Sequence, residues 1–434
     1  MTSIQLTVPS LSYPVERVTL GNGLRVVISV DRRAPVVAVA VHYDVGIRSE
    51  PEGRTGFAHL FEHLMFQGSA SLEKLEHFRY VQASGGSFNG TTRFDYTSYY
   101  EQLPSNALER ALFLEADRMR APRITDQNLA NQIAVVKEEI RVNVINRPYG
   151  GFPWLLVPPI LFDTFPNAHN GYGDFVDLSS ATVEDAQTFF DRYYAPGNAV
   201  LSVCGDLDVD EALTLVERQF GDIPARAVPD RPSFSEPGLR EEHRAEHADP
   251  HVPTPAVGVA WRVPDPLADL GAYLPYVVLA EVLTDGDASR LRRRLVRGDR
   301  LVTSISGAIS FMWNPFDVRD PTALVLTAFH PGPVEPVLAA LDEELDRLAT
   351  DGLEPRELSR VQARLAVSQF SEVDSVLRRA LNMAAFEQQR DRAELVGELP
   401  SLIADVTAEQ VINAASTLRP DRRAVLEIVP GGPS

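Results

Sequence analysis

The chain has almost no cysteine and no long apolar run. Its single cysteine, Cys204, excludes an internal disulfide and any zinc site built from cysteines of this chain. A bound metal would therefore need histidine, aspartate or glutamate ligands. No apolar run approaches the roughly 18 residues that a membrane-spanning helix requires, so no membrane partner is expected.

Positive charge is also scarce, with 41 lysines and arginines against 60 aspartates and glutamates and a net charge of −19. Such a chain is not expected to bind nucleic acid or anionic membranes, whereas basic peptides would be attracted to it. The N-terminal residues lack the basic and apolar regions of a secretory signal and the arginine-rich character of a transit peptide. We therefore expect a cytoplasmic protein.

Two copies of the pattern H-x-x-E-H are present, HLFEH at residues 59–63 and HRAEH at residues 243–247. In a helix, residues four apart share a face about 5–6 Å apart at Cβ, so either pair of histidines could hold one zinc ion. HLFEH lies in an apolar segment that predicts a buried helix ending at Gly68. HRAEH lies among charges and prolines and predicts a solvated linker, although His251 could complete a surface metal site there.

A third ligand for the first pair is expected from a predicted helix over residues 126–145. That helix carries two adjacent acids, Glu138 and Glu139, which point about 100° apart. Glu139 lies 76 residues after His63. The position 76 residues after His247 is Ala323, which cannot bind a metal. Buried histidines are costly without partners, so a metal site is favoured over a pair of histidines satisfied within the core.

The order of predicted strands and helices indicates an α+β protein of two similar domains. We predict a first domain over residues 1–225, a proline-rich linker over residues 226–255 that can include one polar strand, and a second domain over residues 256–434. The strand and helix over residues 256–286 echo the strand and helix around HLFEH. A chance similarity between two strand-helix units is the alternative explanation.

The second domain is predicted to repeat the scaffold without its ligands. Aligning Gly286 with Gly68 places apolar or acidic residues opposite the H-x-x-E-H motif. Val277, Ala280 and Glu281 stand where His59, Glu62 and His63 stand in the first half. At most one zinc site per chain is therefore expected.

HLFEH, followed by the glutamates of VVKEEIR at residues 135–141, resembles the inverted zincins, the pitrilysin and mitochondrial processing peptidase family of zinc peptidases. The likeness continues in GGSFNGTTRFDYTSYY at residues 85–100, LFLEADRM at residues 112–119 and YYAPGNAVLSVCGDLD at residues 193–208. It covers most of the first half. The resemblance implies two α+β domains, each an antiparallel sheet backed by helices, which face each other around a peptide chamber.

The resemblance also assigns roles to individual residues. It implies that His59, His63 and Glu139, rather than Glu138, hold one zinc ion, and that Glu62 is the general base. The family often has a second glutamate seven residues before the third ligand, where this chain has Gln132, which can still form hydrogen bonds.

In this family the substrate adds as a strand to a sheet edge. The residues that match this edge are Phe88, Asn89, Gly90 and Thr91. Turn chemistry is the alternative reason for an Asn-Gly pair at this place.

The second half departs from the family at two positions. The family places an arginine seven positions after the serine of a motif like SRL, and a tyrosine seven further on, where they bind substrate and stabilise the oxyanion. Counting from Ser289 gives Val296 and Thr303. Arg294, Arg297 or Arg300 could replace the arginine, or could form a solvated basic helix face. We therefore expect the zinc-bearing subunit of a heteromeric pair, with a sister subunit that supplies both side chains.

The leading prediction for the function is a zinc-dependent endopeptidase that hydrolyses unfolded peptides or leader segments. A non-catalytic assembly subunit of the same fold is the second hypothesis, and a different zinc hydrolase on a similar scaffold is the third.

Overall fold

A computed structural model describes residue 8, residues 11–230 and residues 233–431. Residues 1–7, 9 and 10, which belong to the N-terminal segment used to predict the location, lie outside this range. The described chain contains strands that form two sheets. They are β1 (Glu16–Thr19), β2 (Arg25–Val30), β3 (Val36–Tyr43), β4 (Ser87–Thr92), β5 (Thr97–Pro104), β6 (Ala199–Gly205), β7 (His243–Asp249), β8 (Ala256–Val263), β9 (Ser304–Ile309), β10 (Thr322–Phe329) and β11 (Arg423–Pro430).

Helices connect and cover these strands. In the first half they are α1 (Phe57–Leu64), α2 (Glu76–Ala83), α3 (Leu108–Arg120), α4 (Asp126–Ile140), α5 (Pro158–Leu161), α6 (Phe165–Ala168), α7 (Phe175–Ser180), α8 (Val183–Tyr193) and α9 (Val209–Phe220). In the second half they are α10 (Leu270–Thr284), α11 (Glu335–Asp351), α12 (Pro355–Asp374), α13 (Val376–Arg390), α14 (Leu395–Ala404) and α15 (Ala408–Thr417). Short π-helical segments follow α4 at Arg141–Ile145 and lie at Arg292–Gly298. No helix of the described residues is both long and apolar enough to cross a membrane.

The two sheets share one topology. The first has the strand order β1-β2-β6-β3-β5-β4, and the second has the order β7-β11-β8-β10-β9. Without β1, each strand of the first sheet has a counterpart in the second, and α10 follows β8 as α1 follows β3. The two α+β halves predicted from the echo in sequence are therefore confirmed in the fold.

The sequence analysis predicted antiparallel sheets, but each sheet also contains one parallel pair of strands. β2 runs parallel to β6, and β7 runs parallel to β11, whereas the other pairs are antiparallel. The reason is that β6 and β11 each reach their place beside the earlier strand through long helical connections. Such crossovers allow parallel pairing, which a short hairpin does not.

The segment predicted as a linker contains one strand of the second sheet. HRAEH lies in β7, a mostly exposed edge strand, and not in a helix or a free connection. Its lack of an apolar face fits this edge position, since charged residues protect exposed strand edges from pairing with other chains. Residues four apart in a strand are separated by about 13 Å, so His243 and His247 cannot share one ion. His243 Nδ1 instead lies 3.0 Å from the backbone oxygen of Ile160.

β3 is buried along nearly its whole length because both faces of the first sheet are covered. Val37, Val39 and Val41 pack into the core with α1 and α3. Ala38 and Ala40 point to the opposite face, where they join the apolar cluster of the second half. Helix α13 lies across β3 and β6 on that face. A strand covered on both faces is expected to have a continuous apolar sequence, which β3 has.

Candidate metal centre

Helix α1 begins at a buried acidic cap. Gly56, at φ +81°, precedes the helix. The carboxylate of Glu50 accepts hydrogen bonds from the backbone N–H groups of Gly56 (2.8 Å) and Ala58 (2.7 Å). An acid is favourable at this end because the first N–H groups of a helix lack partners and carry partial positive charge. His169 lies 3.0 Å from the same carboxylate, so the cap joins α1 to the segment after α6.

The first H-x-x-E-H motif lies on α1, with its histidines on the side that faces α4. The apolar residues of α1 are buried in the core, which fixes the helix. The rings of His59 and His63 have centroids 4.9 Å apart. Nε2 of His59 lies 3.8 Å from Oε2 of Glu139, and Nε2 of His63 lies 3.5 Å from the same oxygen. The three side chains offer ligand atoms that all lie within 4.8 Å of one another.

This donor set fits a zinc ion. Bonds of about 2.0–2.1 Å place the ligand atoms of a tetrahedral site about 3.4 Å apart, which is close to the two nitrogen–oxygen distances here. Two imidazoles and one carboxylate also form a ligand combination found in catalytic zinc sites. The chemistry and spacing of these three side chains therefore fit a zinc ion.

Glu138 points away from this group. Its carboxylate pairs with Arg141 at 3.1 Å, and its side chain is 65% exposed. The two adjacent acids therefore face in different directions on α4, as the helical geometry predicts.

The site residues have shifted pKa values that follow from their contacts. The neighbouring His63 lowers the pKa of Glu139 to about 2, against the opposing effect of burial. Burial lowers the pKa of His59 to about 4. Burial also acts to lower the pKa of His63, but the adjacent Glu139 outweighs it, so this pKa is raised. Gln132, which is buried in α4, adds to that increase.

Glu62 lies beside the metal-binding group and against the edge strand β4. Thr92 donates a hydrogen bond of 2.6 Å to Glu62 Oε2. Burial raises the pKa of Glu62, and the bond from Thr92 only partly opposes this. A carboxyl group with a raised pKa is suited to accept and release a proton near neutral pH.

The predicted substrate residues Phe88, Asn89, Gly90 and Thr91 all lie in β4, and not in a turn. This strand pairs with β5 at the edge of the sheet. A Cβ atom at Gly90 would come within 2.9 Å of Glu62 Cγ, so glycine allows this close approach. Among the residues that the structure describes, no strand pairs with the other edge of β4.

Three contacts of the site were not predicted from the sequence. Tyr172 donates a hydrogen bond of 3.0 Å to Glu139 Oε1, and its ring centroid lies 4.9 Å from that of His59. Trp154 packs against Tyr172 at 5.0 Å between centroids. Thr92 holds Glu62, as described above. Tyrosine, tryptophan and threonine carry no spacing rule that could have identified them, because they come from loops or the end of a strand.

A second group of possible ligands lies in the core beneath β4. It consists of His77, Glu101 and Glu115, all of them buried. Arg118 pairs with Glu115 and packs its guanidinium 4.3 Å from the ring centroid of Tyr99. This guanidinium supplies a positive charge beside the two acids, and burial raises the pKa of Glu101 to about 7.

The second half carries neither functional group at the two positions that depart from the family. Val296 packs against the core of the second half, and Thr303 donates from its backbone N–H to the oxygen of Phe329 at 2.8 Å. Arg294 is engaged with Glu343, and Arg297 pairs with Asp287 at 2.8 Å.

Comparison with known proteins identifies the family. The sequence model described as "Insulinase (Peptidase family M16)" matches residues 25–147, and the one described as "Peptidase M16 inactive domain" matches residues 180–365. The chain is 30% identical to the "Zinc protease PqqE" of Helicobacter pylori over 66% of this chain and 65% of that protein. It is 24% identical to the "Mitochondrial-processing peptidase subunit beta" of Lentinula edodes over 70% of this chain and 66% of that protein.

A solved structure, described as a protease from Helicobacter pylori, has the same fold. It superposes with a TM-score of 0.87 at 24% identity, and the match covers 96% of this chain and 100% of that chain. The two sequence models of one family together match most of the chain, in both halves. The chain therefore belongs to the M16 family of peptidases, the pitrilysin and mitochondrial processing peptidase family, whose named relatives include zinc proteases.

Proposed function

We propose that this chain is a zinc-dependent endopeptidase that hydrolyses unfolded peptides or leader segments. The observation that carries the proposal is the convergence of His59, His63 and Glu139 beside Glu62, at the open edge of β4. A core network would not need two partly exposed histidines and an acid next to a strand edge.

His59, His63 and Glu139 would hold one zinc ion per chain. When bound, zinc polarises a carbonyl group and lowers the pKa of water, which makes peptide hydrolysis accessible at neutral pH. Gln132 supports the site from α4 through His63.

Glu62 is the general base of the proposed reaction. Its Oε2 is held by Thr92, and its Oε1 lies on the side of Gly90. It takes a proton from the attacking water and delivers that proton to the leaving amine. Partial burial favours the protonated form of this carboxyl group as the proton is transferred.

The substrate would bind as an added strand on β4. Backbone hydrogen bonds to an edge strand do not depend on side chains, so many unfolded sequences can bind in this way. Residues Phe88, Asn89, Gly90 and Thr91 would provide this edge. The small size of Gly90 leaves the peptide bond of the substrate free to lie close to Glu62.

The proposed active unit is a heteromeric pair. Val296 and Thr303 provide no arginine or tyrosine, and Arg294 and Arg297 are engaged in ion pairs of their own half. The third candidate, Arg300, lies exposed in the connection before β9. A sister subunit of the same family would supply both groups to the substrate. A cytoplasmic location is also proposed, on the basis of the single cysteine.

The test uses three preparations: the purified chain alone, the wild-type chain co-purified with a sister subunit, and the same pair with Glu62→Gln in this chain. Zinc content and peptide hydrolysis are measured for each. The variant should keep its zinc content and lose peptide hydrolysis by about 10²- to 10⁴-fold. Unchanged turnover would eliminate Glu62 as the base. Full activity of the isolated chain would refute the heteromeric part alone, and zinc binding without hydrolysis in any preparation would favour a non-catalytic subunit.

A further inference from the structure

Tyr172 is placed to control how Glu139 faces the metal site. The two oxygens of this carboxylate have different surroundings. Oε2 lies 3.8 Å from Nε2 of His59 and 3.5 Å from Nε2 of His63. Oε1 instead accepts a hydrogen bond of 3.0 Å from the hydroxyl of Tyr172. One hydrogen bond thus decides which oxygen is free for the metal.

The tyrosine itself is held on two sides. Its ring packs against the imidazole of His59 and the indole of Trp154, at 4.9 and 5.0 Å between centroids. A tyrosine hydroxyl ordinarily has a pKa of about 10, so the group is a hydrogen-bond donor at neutral pH. A ring fixed in this way loses little further freedom when it forms its hydrogen bond.

The backbone around Tyr172 is fixed to the start of α1. Gly173, at φ +100°, lies so close to Gly56 that a Cβ on it would come within 2.8 Å of the Gly56 Cα atom. Asp174 donates its N–H to Thr55 at 2.9 Å, and His169 contacts the cap of the helix through Glu50. The segment that carries Tyr172 is therefore tied to the helix that carries both histidines.

We infer that Tyr172 is a positioning residue for the zinc ligand Glu139. It holds Oε1 so that Oε2 points at the two imidazoles, and it couples α4 to α1 through the contact between Gly173 and Gly56. The inference rests on the proposed function, since it requires that the three residues bind zinc. Groups that orient metal ligands in this way typically contribute 10- to 100-fold to metal affinity.

The test is Tyr172→Phe in the full chain, which keeps the ring and removes only the hydroxyl. The dissociation constant for zinc is measured by competition with a chelator, and the absorption spectrum is recorded with cobalt in place of zinc. We expect zinc binding 10- to 100-fold weaker than in the wild type, with a changed cobalt spectrum. Tyr149→Phe is the matched control, because Tyr149 donates its hydroxyl to the Thr254 oxygen at 2.7 Å, outside this site, and it should leave both readouts unchanged.

Gly173→Ala provides a second variant that keeps the hydroxyl but displaces its segment from Gly56. It should weaken zinc binding in the same direction, and it decides the matter if Tyr172→Phe does not fold. Wild-type affinity and an unchanged spectrum in the folded variants would overturn the role of Tyr172. A wild-type chain that binds no zinc would instead overturn the proposed function.

Discussion

The adjacent acids Glu138 and Glu139 allow a sharp test of the metal site. We predict that Glu139→Gln abolishes tight zinc binding, whereas Glu138→Gln leaves it intact. Both changes convert a carboxylate into a neutral amide, by replacing one oxygen with an NH2 group, at neighbouring positions of the same helix. They differ only in the direction in which the side chain points.

The expected magnitude follows from the contacts of each acid. Glu139 is one of the three proposed ligands and the only one of them that carries a negative charge, and its Oε2 lies 3.5 and 3.8 Å from the two imidazoles. Loss of a residue that merely orients a ligand costs 10- to 100-fold in affinity, so loss of the ligand itself should exceed about 100-fold, or about 2.7 kcal/mol. Glu138 forms a surface ion pair with Arg141, which contributes about 0–1 kcal/mol to stability and nothing to the metal.

The assay is a titration of zinc against a chelator of known affinity, supported by metal analysis of the purified proteins. Circular dichroism and urea unfolding of the zinc-free variants show that each one is folded. If Glu139→Gln binds zinc within about tenfold of the wild type, the third ligand is not Glu139. If Glu138→Gln is the variant that loses zinc, α4 is rotated relative to the structure described above.

Two further predictions concern other parts of the molecule. Gly90→Ala should lower kcat/KM about 10- to 100-fold with unchanged zinc content, because the new Cβ would lie 2.9 Å from Glu62 Cγ and must displace the base. Gly21→Ala is the control, because no atom lies within 4 Å of its added Cβ. Equal rates for the two variants would contradict the role of the close approach. Asp31→Asn should destabilise the fold by about 3–5 kcal/mol in urea unfolding, because buried Arg379 of α13 would lose its charged partner just after β2. Asp374→Asn is the control, because the Asp374 side chain is 70% exposed, and it should change stability by less than about 0.5 kcal/mol. Arg33, with support from Arg379, holds the pKa of Asp31 well below its ordinary value against the effect of burial. The contribution of Asp31 to stability is therefore present at neutral pH and is lost as the pH falls below about 4. Parallel acid unfolding curves for the wild type and Asp31→Asn would refute this pH dependence.

The sequence by itself determined the local structure and the ligand types. The apolar face of residues 57–64 requires a buried helix, and a helix places His59 and His63 on one side. Periodicity of this kind is encoded over a few residues, so it can be read without knowledge of the rest of the chain.

The tertiary structure decided which distant groups meet. Only the packing of α4 on α1 brings Glu139, and not Glu138, to the histidines, and only the loop after α6 delivers Tyr172 to Glu139. The second H-x-x-E-H copy shows the same limit, because pairing with β11 made it an edge strand in which its histidines cannot share an ion. Such outcomes depend on contacts between residues far apart in the chain, and no local pattern records them.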